Sequence, residues 1–220
     1  MSKRYLDWRD EHLNSVNHAF CAAKWYNATI WLGHGQTASC HHPPGHWIPL
    51  EELKDNYTAI HNTKHKKLMR KYMQEGKRPA ECEYCWKVED MGKGHVSDRT
   101  FKTEIFKDED IHKSAEMPWD ENVMLRTLEI SFDRACNFSC SYCNPAFSTA
   151  WVKDINTYGG YENIQSDGRG HFVDTAEWAK PAAKHEEENP YNQAFHKWWE
   201  NGLADNLDEI RITGGEPIMH

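Results

Sequence analysis

Three closely spaced cysteines constrain the fold of this chain more than any other feature of its sequence. Cys136, Cys140 and Cys143 form a C-x3-C-x2-C run directly after a strand-like segment at 124–132. A structural zinc site normally takes four protein ligands, and this run offers three. A four-iron cluster held by three thiolates would leave one iron open to a small molecule. Zinc with a borrowed fourth ligand, such as His171, is the alternative that the run leaves open.

A second short motif follows downstream, again directly after a strand-like segment. The segment 211–217 reads Arg-Ile-Thr-Gly-Gly-Glu-Pro. Together with the cysteine run, in which Tyr142 precedes the third cysteine, it resembles the signature of the radical S-adenosylmethionine (SAM) superfamily. In that family the Gly-Gly-Glu-Pro segment ends the second barrel strand and holds the methionine part of SAM.

The resemblance implies both a chemistry and a set of ligands. The three cysteines of the run would bind three irons of a [4Fe-4S] cluster, and SAM would chelate the fourth. The reduced cluster would cleave SAM to a 5′-deoxyadenosyl radical, which would abstract hydrogen from an unknown substrate. A peptide or protein substrate is suggested by analogy alone, and flavodoxin or ferredoxin would be a typical reductant. The cofactor-binding residues that the resemblance implies are Tyr142, Gly214, Gly215, Glu216 and Pro217.

The two glycines suit close approach of a ligand because they leave the backbone uncovered. By the same resemblance, Glu216 would pair with the amino group of SAM. Tyr142 would lie near the adenine.

Four further cysteines lie in the first part of the chain, and the total of seven argues against a closed set of disulfides. A C-x2-C pair presents two thiolates to one metal, and four thiolates suit either a fully ligated cluster or zinc. His41 and His42 follow the second cysteine and are alternative ligands. The four cysteines are Cys21, Cys40, Cys82 and Cys85.

The order of hairpin, helix and C-x2-C pair resembles the twitch or SPASM-type auxiliary cluster modules of radical SAM enzymes. Those modules usually follow the barrel, whereas this one would precede it. The resulting prediction is an α/β chain in three parts. Residues 1–95 form a small α+β twitch/SPASM-like domain with an auxiliary iron–sulfur cluster, 96–123 a linker, and 124–220 the start of a partial (β/α) barrel.

Only two strands of such a barrel fall within the sequence. At roughly 30 residues per βα unit, four more units would need about 120 further residues. We therefore expect an N-terminal fragment of a longer protein, with the edge of its last strand exposed.

Alternating polar and apolar residues mark both barrel strands. An ordinary parallel barrel strand is apolar on both faces, so polar faces suit a barrel that encloses a ligand. A polar face that simply meets water is the alternative. The predicted lumen-facing residues are Glu129, Ser131, Arg211 and Thr213.

A helix is predicted at about 63–75, with Asn62 as its N-cap and Gly76 at its end. One face is apolar and the other is basic. We expect the basic face to be solvated, with docking of an acidic partner as the alternative. The basic residues are Lys64, Lys66, Lys67, Arg70 and Lys71.

Charge and hydropathy narrow the remaining classes of protein. The formal net charge of −8 argues against a general nucleic-acid binder. The sequence contains no signal-peptide pattern and no apolar run of membrane-spanning length, which predicts a cytoplasmic protein without a membrane partner. Two other functions stay open: a non-enzymatic zinc-binding module, and an iron–sulfur electron-transfer protein that does not use SAM.

Overall fold

A five-stranded mixed sheet organises residues 3–163 and 172–219, which are the residues that this computed structural model describes. The spatial order of the strands is β3-β2-β1-β4-β5. Strands β1, β4 and β5 are parallel, while β2 and β3 continue the sheet in antiparallel pairing. The strands are β1 (Asn27–Trp31), β2 (Gln36–Ala38), β3 (His46–Trp47), β4 (Thr127–Ser131) and β5 (Glu209–Ile212).

Ten α-helical segments surround this sheet within the described residues. They are α1 (Lys3–Arg9), α2 (Ala23–Tyr26), α3 (Leu50–Asp55), α4 (Lys64–Gln74), α5 (Glu83–Asp90), α6 (Asp98–Thr103), α7 (Asp108–Glu116), α8 (Thr149–Tyr158), α9 (Pro190–Trp198) and α10 (Ala204–Asn206). The predicted mixed α/β class is confirmed.

One face of the sheet is apolar because alternate residues of a strand point the same way. Ala28 and Ile30 of β1 are paired with Leu128 and Ile130 of β4, and all four side chains are buried. Helix α9 covers this face with Trp198, which is completely buried. The opposite face carries a polar row in register, made of Thr29, Glu129 and Arg211.

The parallel pairing of β1 with β4 joins the two regions that the sequence analysis assigned to separate domains. β1 lies within 1–95 and β4 lies within 124–220, yet their residues pair directly from Asn27↔Thr127 to Trp31↔Ser131. The predicted boundary therefore does not separate two sheets. The composition of the chain changes at that boundary, but composition carries no information about which distant strands pair.

The predicted linker at 96–123 contains two helices, α6 and α7. Helix α7 buries Ile111 and Ser114 against the core, and the exposed charges of its outer face gave the segment a linker-like composition. Asp110 of α7 accepts hydrogen bonds from both Nε and Nη2 of Arg126, at 3.0 Å each. This bidentate ion pair fixes the segment just before β4.

Helix α4 confirms the predicted helix, but two details of the prediction are wrong. Its N-cap is Thr63, whose hydroxyl accepts from the Lys66 amide, rather than Asn62. Its basic face is not solvated throughout, because Lys66 and Arg70 are completely buried. Neighbouring carbonyl, hydroxyl and imidazole groups take the hydrogen bonds of both side chains.

Strand β5 forms an exposed edge of the sheet, as the sequence analysis expected. All four of its residues are exposed, including Ile210 and Ile212.

A comparison of two glycine substitutions tests the packing of α9 against the β1–β2 turn. Gly35 and Gly76 both have a left-handed backbone, with φ of +76° and +72°. A Cβ at Gly35 would overlap the Tyr191 ring of α9, whereas one at Gly76 would have open space. The backbone cost of either alanine is about 1 kcal/mol, and overlap in the core adds about 1–3 kcal/mol.

We therefore expect Gly35→Ala to lower the free energy of unfolding by about 2–4 kcal/mol and Gly76→Ala by about 1 kcal/mol. Urea denaturation followed by circular dichroism measures both. Equal losses in the two variants would contradict the packing of Tyr191 on this turn.

Candidate functional site

The three-cysteine loop begins where β4 ends and is held by the first turns of α8. The Cys136 amide donates to Thr149 Oγ1, and this hydroxyl donates back to the Cys136 carbonyl, each at 2.9 Å. Trp151 Nε1 donates to the Cys140 carbonyl at 3.0 Å. Helix α8 thereby positions two of the three cysteines through their backbones, leaving their thiols available.

Arg134 fastens the base of the same loop. Its Nη1 atom donates to the carbonyls of Pro145, Thr175 and Ala176 at 2.9–3.1 Å. One guanidinium thus joins the start of the loop, its end and the segment that follows α8. Because Arg134 is buried, these bonds are shielded from water, which makes the loop base rigid.

The loop presents its cysteines to solvent. Cys136, Cys140 and Cys143 are all free and partly exposed, and Tyr142 is 90% exposed. A hydrogen bond with Cys140 raises the pKa of Tyr142. Partial burial raises the pKa of Cys143. His171, the alternative fourth ligand, lies outside the described residues.

The Gly-Gly-Glu segment packs directly against this loop. The Gly215 amide donates to the Phe147 carbonyl at 3.1 Å, and the Glu216 amide donates to the Ala135 carbonyl at 2.8 Å. Parallel pairing of β4 and β5 makes this contact possible, because the carboxyl ends of parallel neighbours meet at one edge of a sheet. The structure therefore brings together the two motifs that were predicted from separate parts of the sequence.

Both glycines of this segment are required by close approach and by backbone conformation. Gly214 and Gly215 have φ of +76° and +53°. A Cβ at Gly214 would overlap the Ser131 side chain, and one at Gly215 would overlap the Ala135 carbonyl. Pro217 begins a short 3₁₀ turn immediately after them, and Glu216 Oε1 accepts from the Ile218 amide at 3.3 Å.

The other four cysteines converge on one cavity. Cys21, Cys82 and Cys85 are buried and Cys40 is partly buried, and all four line the cavity as free thiols. The cysteines come from three segments of the chain. Cys21 lies in the turn before α2, Cys40 follows β2, and Cys82 and Cys85 lie at the start of α5. The structure thus brings together the four cysteines that the sequence analysis grouped.

Burial makes these thiols weak acids in the absence of a ligand. It raises the pKa of Cys82 and of Cys85 to about 12, and it also raises the pKa of Cys40. The nearby Lys24 ammonium partly opposes the shift at Cys82.

Two buried lysines lie at or near the same cavity, and the sequence analysis missed their burial. Lys24 is 2% exposed and forms an ion pair with Glu81. Lys66 is completely buried and donates to Thr37 Oγ1 at 2.7 Å and to the Ala38 carbonyl at 3.0 Å. Burial, together with the charges of Arg70 and Lys24, holds the pKa of Lys66 well below its usual range.

The charged Lys24, which lines the cavity, favours an anionic group there, because buried charge is costly unless it is compensated. Burial alone would lower the pKa of Lys24. The negative charges of Cys82 and Glu81 outweigh this effect, so that the pKa of Lys24 is raised. Thiolates at the cavity would therefore stabilise the charged form of Lys24 and would be stabilised by it in turn. The sequence did contain a signal for the burial of the basic residues of α4. Two of them share one helical face with two methionines: Lys66, Met69, Arg70 and Met73.

A third group of metal-binding side chains lies outside the seven cysteines. The ligand atoms of His41, His42 and Asp98 all lie within 4.8 Å of one another.

Comparisons with known proteins add no assignment. No family model matches the chain, and searches of curated proteins and of solved structures also find no match. In the part of the chain that the structure describes, no helix is both long and apolar enough to cross a membrane.

The burial of the four-cysteine cavity predicts a difference in thiol reactivity. In the native metal-free chain at pH 8, a thiol with a pKa of about 12 is about 0.01% thiolate. We expect iodoacetamide to modify Cys82 and Cys85 at least about 100-fold more slowly than the partly exposed Cys140.

The raised pKa values lie above the pH range of the experiment, so the thiolate fraction of Cys82 and Cys85 rises about tenfold per pH unit. Their modification rates should therefore increase about tenfold per pH unit between pH 8 and 10. Peptide mapping by mass spectrometry gives the rate at each cysteine, and the urea-unfolded chain is the control in which rates converge. Similar native rates at Cys82 and Cys140 would contradict a buried cavity.

Proposed function

We propose that this chain forms the SAM-binding and auxiliary-cluster part of a radical SAM enzyme. In this proposal, Cys136, Cys140 and Cys143 hold a [4Fe-4S] cluster, and 214–217 hold SAM beside it. Strands β4 and β5 are the first two strands of a partial (β/α) barrel. The observation that carries the proposal is the direct hydrogen bonding of the Gly-Gly-Glu segment to the cysteine loop.

The position of this contact supports a ligand site. Open α/β sheets and barrels bind ligands at the carboxyl ends of their parallel strands. Both motifs lie at that edge, on adjacent strands. Gly214 and Gly215 leave no room for a Cβ beside Ser131 and Ala135, so the turn packs closely on the end of β4.

The donor set fits a cluster with one open iron. The three thiols are partly exposed, so no side chain has to move far to free them. When bound, the cluster and SAM would supply reductive cleavage of SAM to a 5′-deoxyadenosyl radical.

The side chains around the loop have definite roles in this proposal. The half-buried Glu216 carboxylate would accept hydrogen bonds from the methionine amino group, a charge-assisted interaction. Tyr142, which projects from the loop, would lie near the adenine. The polar row formed by Thr29, Glu129 and Arg211 faces the substrate, and it already lines a cavity on that face of the sheet.

The four-cysteine cavity is the proposed auxiliary iron–sulfur centre. Lys24 lines this cavity, and its ammonium group matches the negative charge of a thiolate-ligated cluster. A one-electron reductant such as flavodoxin or ferredoxin, a cytoplasmic location and a peptide or protein substrate complete the proposal.

Electron paramagnetic resonance of the reduced protein tests the assignment of the two centres. SAM should change the spectrum of the anaerobically reconstituted chain, because SAM binds one iron directly. Cys143→Ala should abolish this change and leave the signal of the second centre. Cys85→Ala, the matched control, should lose that second signal and keep the response to SAM.

If adding SAM did not change the spectrum of the wild-type protein, the proposal would be contradicted and an electron-transfer protein would be favoured. A response that survives Cys143→Ala but disappears in Cys85→Ala would reverse the assignment of the two centres.

Glu216→Gln tests the proposed SAM contact separately from cluster binding. Loss of a hydrogen bond to a charged group costs about 1.5–3 kcal/mol, which corresponds to a roughly 10- to 100-fold weaker affinity for SAM. Iron content should stay unchanged, because no metal ligand is altered. Isothermal titration under anaerobic conditions measures the affinity.

Glu200→Gln replaces an exposed carboxylate on a distant segment and serves as the control. Equal SAM affinity in both variants would show that Glu216 does not contact SAM.

A further inference from the structure

Three metal-binding side chains meet outside both cysteine groups. His41 and His42 follow β2, and Asp98 is the first residue of α6. Asp98 Oδ2 lies 2.6 Å from His42 Nε2 and 3.1 Å from His41 Nε2. The ligand atoms of all three residues lie within 4.8 Å of one another.

The convergence of two imidazoles on a single carboxylate oxygen distinguishes this group from an ordinary surface pair. A lone His–Asp hydrogen bond uses one ring nitrogen and needs no second imidazole. Ligands of a tetrahedral zinc ion, with bonds of about 2.0–2.1 Å, lie roughly 3.3 Å from each other. The two observed separations, 2.6 and 3.1 Å, would need to widen only slightly to admit an ion.

The neighbouring residues hold His42 in place. Its ring stacks on the Tyr84 ring, with centroids 3.8 Å apart and planes inclined by 15°. Tyr84 lies between Cys82 and Cys85 in the sequence, so the C-x2-C turn also orients this histidine. Fixed ring orientation of this kind is typical of metal ligands, because it removes the entropy cost of assembling the site.

We propose that His41, His42 and Asp98 bind a divalent transition-metal ion, of the zinc or iron(II) type, at a site distinct from both cysteine groups. Two imidazoles and one carboxylate form a donor set that these ions prefer over calcium or magnesium. Three protein ligands leave at least one coordination position for water or for an oxygen of a substrate.

The location of the site indicates which cavity the open coordination position faces. His42 and Asp98 line the four-cysteine cavity, whereas His41 lines the cavity on the polar face of the sheet, with Glu129 and Arg211. An ion held by these three residues would lie beside both cavities. It is therefore placed to bind a carboxylate or carbonyl oxygen of a molecule that occupies the polar-face cavity.

Zinc titration of the full chain tests the site, which does not depend on the proposed radical SAM function. The chain is reconstituted with iron and sulfide without oxygen, freed of excess metal, and titrated with Zn²⁺ against a competing chelator. We expect one zinc per chain with nitrogen and oxygen ligands at about 2.0–2.1 Å in X-ray absorption and no sulfur shell at about 2.3 Å.

Asp98→Asn and His42→Gln should each weaken this zinc binding at least about tenfold while leaving the iron content and circular dichroism spectrum unchanged. His12→Gln is the matched control, because His12 also stacks on an aromatic ring, that of Trp8, and lies near carboxylates of Glu11 and Asp108. Its zinc affinity should equal that of the wild type.

Zinc bound solely through sulfur, or an affinity that neither Asp98→Asn nor His42→Gln changes, would overturn the proposal. Failure of the chain to retain iron would count against the radical SAM proposal alone. A nitrogen–oxygen zinc site that is lost in Asp98→Asn would still support the histidine site in that case.

Discussion

The parallel pairing of β4 with both β1 and β5 is the constraint on which the candidate centres depend. It places the end of β4, and with it the three-cysteine loop, beside the Gly-Gly turn that follows β5. The same strand connects this loop to the N-terminal hairpin that carries Cys40. A one-residue slip of β4 would turn Leu128 and Ile130 out of the core, so the register is strongly specified.

Burial of basic side chains is the second organising feature, and Lys24 is the residue that brings it to the four-cysteine cavity. Lys24 lines this cavity, is almost fully buried and forms an ion pair with Glu81. Burial raises the pKa of Cys82, and the Lys24 ammonium partly opposes that shift. Lys24 therefore lowers the cost of forming a thiolate in the cavity.

Local features of this fold could be predicted from the sequence, while the long-range ones could not. Helix α4 and strands β4 and β5 appear where periodicity and turn residues placed them, because these signals are local. The pairing of β1 with β4 was missed, since nothing in either strand specifies a distant partner. Burial of Lys66 was missed because charge suggested solvent, although its helical spacing with Met73 indicated the core. The meeting of His42 with Asp98 likewise depends on tertiary folding.

Metal analysis of the purified chain tests the central claim most directly, namely that two cysteine groups hold two separate iron–sulfur centres. Iron, acid-labile sulfide and zinc are measured per chain on protein prepared and reconstituted without oxygen. The account predicts about eight irons and a matching amount of sulfide, as two four-iron clusters require. Zinc bound to the thiols, with little iron or sulfide even after reconstitution, would contradict the account and indicate a zinc-binding module.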